Sequence, residues 1–220
     1  MNFSLKSFLV GAAFCSLALS LPSKGQAEVY YIENSIERFS VSFPDSWKKV
    51  NNQKPDDKLT MIGAGHNTFA ECRVSINNDR RFVIYPGDFD PEIQRLEVSS
   101  EFWDNYLSDF NNVEVEMFKD NAGLGFGHAS VSEAFYETSE SAIVRKRALM
   151  FASLYHDQLY VLECSAEESV YHRWRPTFLS VAKSMNFKKV THERMQGHYR
   201  DFTKEEVEVQ GPNQLDVYKF

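Results

Sequence analysis

Six histidines, three cysteines, two glycine-rich runs and a small acidic loop are the features of this 220-residue chain that could do chemistry. His66, His128, His156, His172, His192 and His198 form no HExxH motif and no pair at a usual zinc spacing on one helix. His156-Asp157 falls at the tip of a predicted hairpin, a place that gives exposure but no concavity. His66 with Glu71, or His192 with His198, could meet only if the fold brought them together. No Ser/His/Asp order carries a local signature, and no two carboxylates stand in a recognisable glycosidase frame. A hydrolase reading would have to take His66 or His156 as its base. Asp88, Asp90 and Glu92 offer oxygen ligands of the kind calcium prefers, but the same residues read equally as a solvated loop. No metal, cofactor or catalytic residue is assigned.

The glycine runs lead away from nucleotide chemistry. Phosphate loops lie between a strand and a helix N-terminus. Gly123-Leu124-Gly125-Phe126-Gly127 is instead followed by a segment that alternates like a strand, so it reads as a hairpin turn. Gly63-Ala64-Gly65-His66-Asn67 fails the same test and lacks the serine of a hydrolase elbow. Arg145-Lys146-Arg147, with Arg73 and Arg81, could form a basic patch. Pairing with the chain's many carboxylates is the simpler account.

These residues need elements to position them, and the first element is one that leaves. Lys6, the apolar run Phe8 to Leu21 and the small residues Gly25 and Ala27 have the layout of a cleavable secretory signal over residues 1–27. The run is about 14 residues, short of the roughly 20 that span a bilayer. Phe14 is too bulky, and the run continues too far past Cys15, for a lipid-modified cysteine. Cleavage after Ala27 removes Lys6 and Lys24. It leaves 22 basic residues of 24 against 31 acidic ones, so the formal charge moves from -7 to -9. An acidic domain with no basic stripe is a poor nucleic-acid binder. No second run approaches membrane-spanning length, so no stable membrane insertion is expected. Removal of Cys15 leaves Cys72 and Cys164, an even pair in a compartment that permits disulfides. A bridge between them would close a loop of about 90 residues. Two buried thiols or a metal pair are the competing readings.

In the mature chain, Phe39, Val41 and Phe43 alternate with polar residues as in a half-buried strand. Pro44-Asp45-Ser46-Trp47 turns the chain. Leu59 to Ala64 and Ala70 to Ile76 are further strands. Val98 to Phe110 reads as a helix with one aromatic face of Phe102, Trp103, Tyr106, Leu107 and Phe110, capped by Ser99 or Ser100. Val113 to Phe118, Phe126 to Thr138, Ala142 to Tyr155 and Leu159 to Cys164 form hairpin-linked strands, an antiparallel meander. Glu167 to Trp174 makes a short helix, and Pro176 is placed to begin a second. The class is α+β, an antiparallel β-sheet flanked by helices. Residues 189–220 form a polar tail ending in Tyr218-Lys219-Phe220, an aromatic terminus suited to docking on its own domain or on a partner. Trp47, Tyr218 and Phe220 are therefore the candidate partner-binding residues.

Phe39-Ser40-Val41-Ser42-Phe43-Pro44-Asp45-Ser46-Trp47 resembles the opening strand-Pro-Trp segment of the PsbP-like α/β/α sandwich group. Leu159 to Ala166 followed by a helix is similar to that group's late strand, and Ser184-Met185-Asn186-Phe187 to the end of its closing helix. The likeness spans residues 36 to 188. It implies an α/β/α sandwich and a binding or assembly role without catalytic residues, in a group with many exported members. Photosynthetic members act at the oxygen-evolving complex, and no metal ligand is carried across from them. The expectation is an exported, non-enzymatic protein of the bacterial envelope, periplasmic or secreted, with a protein partner. A periplasmic hydrolase and a small-ligand or metal-binding module are the alternatives. Intact-mass measurement of exported material tests the first step: the mature chain should begin at Glu28, and retention of residues 1–27 would refute cleavage.

Overall fold

Residues with a two-residue apolar period become strands, and the strands set the layers. A computed structural model describes residues 28–51, 54–65, 68–80, 90–125, 127–138, 143–189, 208–210 and 217–219. The expected signal, Arg81, Asp88, His66, His192, His198 and Phe220 lie outside the described residues. In chain order the elements begin β1 (Val29–Asn34), β2 (Phe39–Pro44), β3 (Lys48–Val50), β4 (Asp57–Ile62) and β5 (Glu71–Asn78). Two short helices follow, α1 (Asp90–Glu97) and α2 (Ser100–Leu107). The meander is β6 (Asn111–Leu124), β7 (Gly127–Thr138), β8 (Val144–Tyr155) and β9 (Gln158–Glu167). The long helix α3 (Glu168–Ser184), then β10 (Asn186–Phe187), β11 (Glu208–Gln210) and β12 (Val217–Lys219), complete the described elements.

Seven antiparallel strands run in the order β3-β4-β5-β9-β8-β7-β6. Alternation sends their side chains to two cores. On one face Cys72, Val74, Leu149, Phe151, Leu162 and Cys164 pack under α3 and a second, three-stranded sheet, β1-β2-β10. That face takes Phe39, Val41 and Phe43 from β2, and Phe178, Leu179 and Val181 from α3. On the other face Ala148, Met150, Ala152, Leu154 and Val161 pack with Trp103 and Leu107 of α2. Full burial of each large aliphatic or aromatic side chain is worth about 1.5–3 kcal/mol, so both faces contribute.

The chain has the expected antiparallel sheet with helices, but it is more β-rich than an α/β/α sandwich. The layer holding α3 is half sheet, because β1 joins β2 there. β1 was not expected: Val29-Tyr30-Tyr31-Ile32 has no polar alternation and is largely exposed. Three further boundaries differ. β6 runs through Lys119-Asp120-Asn121, which reads as the approach to a turn. It absorbs the extra residues in register shifts, one of them between Lys119 and Ala122. The turn itself is Gly125, with φ of 57°, backed so closely by Asn186 and Phe187 that a Cβ would lie 3.2 Å from them.

The expected single helix over Val98 to Phe110 is instead α1 and α2, parted at Val98-Ser99. Ser99 occupies the N-cap of α2 without a side-chain cap bond. Finally, Pro176 does not begin a helix but lies inside α3. A proline there costs roughly 3 kcal/mol. Tyr171 and Trp174 before it, and Phe178, Leu179, Val181 and Ala182 after it, all pack on the same core, which outweighs that cost.

Cys72 and Cys164 stand directly opposite each other on β5 and β9 and are joined by a disulfide spanning 92 residues. Both are buried in the α3-side core. Alkylation of exported protein should find no free thiol at either position before reduction. The doubly substituted C72A/C164A protein should lose roughly 4 kcal/mol in guanidinium unfolding. Two reactive thiols in unreduced material, or an unchanged midpoint, would contradict the bridge.

Candidate functional site

Charged residues inside a sheet must find partners, and three clusters show how this chain does it. The first lies beneath α2. Glu163 of β9 stands opposite Arg73 of β5, and the pair is 2.7 Å apart with Glu163 only 1% exposed. Tyr106 of α2 donates to Glu163 Oε2 at 2.7 Å, and Tyr136 of β7 donates to Oε1 at 2.5 Å. Nearby, Lys146 reaches Glu71 at 2.7 Å and Ser75 donates to Asp57 at 2.8 Å. Burial pushes the Glu163 carboxyl up, but Arg73 and the two phenols outweigh it and hold its pKa below the ordinary value. Burial, with Glu163 alongside, pushes both tyrosines well above theirs. Both oxygens of Glu163 are occupied, so this ionised group has no proton to give and is sealed from substrate. It fixes α2 on the sheet.

The second cluster is on the α3 side. Arg147 of β8 pairs with Glu116 and, at 2.7 Å, with Glu133 of β7. Arg175 of α3 approaches Glu133 at 3.5 Å. The Arg147 guanidinium lies 4.9 Å from the ring centroids of both Phe135 and Tyr171. Burial raises the Glu116 carboxyl above its ordinary value against the pull of Arg147. The basic run Arg145-Lys146-Arg147 is therefore dispersed: Arg145 bonds Glu168 at 2.9 Å and Glu114 at 3.3 Å, and each neighbour has its own carboxylate. Pairing accounts for it, and no basic patch forms from these three.

The third cluster is at the β8–β9 hairpin tip. His156 Nδ1 lies 2.9 Å from Asp157 Oδ1, and the same carboxylate binds Arg38. Arg38 and His156 both adopt left-handed backbone, at φ 57° and 56°. For His156 this suits a two-residue turn between Tyr155 and Gln158. Tyr160 donates to the Glu37 carbonyl at 3.0 Å and to Gln158 at 2.6 Å. Burial raises the Asp157 carboxyl, but bonds from His156 and Arg38 bring it below the ordinary value. A His–carboxylate pair is thus present, built from sequence neighbours and tied to an arginine. His128 lies in β7 and His172 on the exposed side of α3, away from this tip.

Of the candidate partner-binding residues, Trp47 requires correction. It is 4% exposed and packs on Phe43, Trp174 and Phe178, with centroids 5.5, 5.7 and 6.3 Å away. The turn after β2 folds its indole under α3, so no exposed patch is centred on it. Tyr218 lies in β12 opposite Val209 of β11. The exposed apolar residues that sequence reasoning missed are Val29, Tyr30, Tyr31 and Ile36, in β1 and the turn after it; Tyr31 is 58% and Ile36 87% exposed. Their one signal was an apolar run directly after the expected cleavage point. Glu133 and Glu163 were missed too, although a carboxylate within a nearly continuous apolar strand implies a buried partner.

No protein-family model and no curated protein matches the chain. Among solved structures it is similar to a cyanobacterial PsbP from Synechocystis, at 13% identity and a TM-score of 0.52 over 76% of this chain and 97% of that one. That likeness shows the fold: the chain is PsbP-like in architecture. LpqN of Mycobacterium tuberculosis, described as involved in cell envelope biogenesis, overlaps with a TM-score of 0.43 at 7% identity, covering 74% of this chain and 91% of LpqN. The Ran-binding protein Mog1p of Saccharomyces cerevisiae overlaps with a TM-score of 0.47 at 7% identity, covering 74% and 97%.

The first cluster makes a stability prediction. R73M strands a buried carboxylate and should cost roughly 3–5 kcal/mol at neutral pH, with part recovered in R73M/E163L. Because the folded pKa of Glu163 is depressed, its contribution is complete above the unfolded value of about 4.3 and is lost as pH falls through the lower folded value. The stability gap between wild type and E163Q should therefore narrow below about pH 4. Urea unfolding across pH 2–7 checks this, and a gap that widens in acid would refute it.

Proposed function

We propose that this chain is an exported, non-enzymatic binding or assembly protein of the bacterial cell envelope, acting through a protein partner. Residues 1–27 serve as the signal, 28–188 as the binding domain and 189–220 as an appended tail. The observation that carries the reading is how the side chains divide. The three charged clusters are spent within the domain on cross-strand and helix–sheet pairs. Exposed apolar side chains, by contrast, gather within eight residues of chain, at Val29, Tyr30, Tyr31 and Ile36. Such a grouping favours association over chemistry. The Cys72–Cys164 bridge supports an oxidising compartment. Among the described residues no helix is long and apolar enough to cross a membrane.

A hydrolase using His156 as base is the second reading, favoured by the 2.9 Å contact with Asp157. It is the weaker one, because Asp157 is also tied to Arg38 and the pair occupies a tight turn. Native purification from the envelope fraction after gentle crosslinking separates the two. The binding reading expects a species larger than the monomer that contains a second protein. A protein that runs alone and monomeric would overturn it.

A further inference from the structure

A sheet edge offers a row of backbone donors and acceptors to any extended chain, and folded proteins blunt such edges with lysine, proline, bulges or shortness. Three of the four edges here are blunted. β3 is three residues long and begins Lys48-Lys49. β6 is broken by three register shifts and carries Glu114, Glu116, Lys119 and Asp120. β10 is two residues long. β1 is different: six residues pair with β2 in unbroken register, and Val29-Tyr30-Tyr31-Ile32-Glu33-Asn34 contains neither lysine nor proline. Valine, tyrosine and isoleucine are strong strand formers. Among the described residues β1 pairs with β2 alone.

The edge also has two usable faces. Register places Val29, Tyr31 and Glu33 across from Pro44, Ser42 and Ser40, facing out. Tyr30 and Ile32 lie across from the buried Phe43 and Val41, and Ile32 packs on the core. An added strand would extend that core and cover half-exposed tyrosine on both sides. Its charge is also indicated. Glu28, Glu33 and Asp45 are exposed around β1, with the Asp45 amide donating to the Glu28 carbonyl at 3.1 Å. Acids at the edge of a chain of net charge -7 favour a basic occupant and work against a second copy of the same edge.

We propose that β1 is a docking edge on which an extended segment of a partner protein, alternating apolar and basic residues, adds as a further strand beside β1. The proposal rests on the binding reading above and names its site and the kind of segment it takes. The test uses the full chain in its native envelope, with p-benzoylphenylalanine in place of Tyr31, or in place of the exposed Ile143 before β8, followed by mass spectrometry of photo-adducts. Tyr31 adducts should map to one extended, lysine- or arginine-bearing stretch of a second protein. E33K should lower their yield about tenfold, while circular dichroism confirms an unchanged fold. Partner adducts only from Ile143, adducts on a helical or acidic segment, capture of a second copy or of this chain's own tail, or indifference to E33K would overturn the docking edge while leaving a binding role intact. A lack of adducts at both positions, with a monomer after gentle crosslinking, would overturn both.

Discussion

The pairing of β5 with β9 is the constraint on which the rest of the structure depends. At two consecutive positions it places Cys72 opposite Cys164 and Arg73 opposite Glu163. Alternation sends these two pairs to opposite faces of one sheet. The disulfide enters the apolar core beneath α3, and the ion pair enters the layer beneath α2. A slip of one residue would turn Arg73 or Glu163 into the apolar core and separate the sulfurs. A buried ion pair gives little net stability, because desolvation cancels most of its attraction. Here it sits beside a covalent link in the same register, and the two devices specify the same alignment.

From that alignment the helices take their places. Tyr106 can reach Glu163 only if α2 crosses the sheet above β9, and the Trp103 indole donates to Ser130 of β7 at 2.9 Å from the same helix. On the other face, α3 is held at Arg175 and Tyr171 beside the Glu133 cluster, and at Ser184, whose hydroxyl accepts from the Ser42 amide at 2.9 Å. The small sheet is thus attached to the large one through α3 and shared apolar packing. The same accounting explains why these charged groups do no chemistry: a carboxylate whose oxygens already accept two phenols and a guanidinium has nothing left to offer a ligand.

Where burial follows a two-residue period, the sequence was legible. Phe39-Val41-Phe43 and Cys72-Val74-Ile76 read directly as strands, and Gly125 and His156-Asp157 as the turns of the meander. Legibility failed where partners come from distant chain. Pro176 looked like a helix start because the core that holds α3 together on both sides of it is not a local property. Trp47 looked like a surface aromatic because its burial depends on Trp174 and Phe178, more than a hundred residues on. Glu133 and Glu163 could not be matched to Arg147 and Arg73 before the strand order was known. The PsbP-like order of the strand-Pro-Trp opening, late strand and closing helix was readable, and it led to the right architecture with too much helix in its layers.

β1 escaped for the opposite reason: it lacks the period that marks a half-buried strand. Tyr31 and Val29 face out where a strand lying over solvent would carry polar residues, and Tyr30 is half exposed on the inner side. The seven-stranded sheet ends in lysines at β3 and in bulges at β6, so this chain does protect its edges. An edge of regular register and aromatic composition, in the same molecule, departs from that practice. Stability does not require the departure, since replacing Tyr31 with a polar residue would remove little from a side chain already more than half in water. The residues are better accounted for by what they present than by what they hold together, and what they present is an open strand with acids around it.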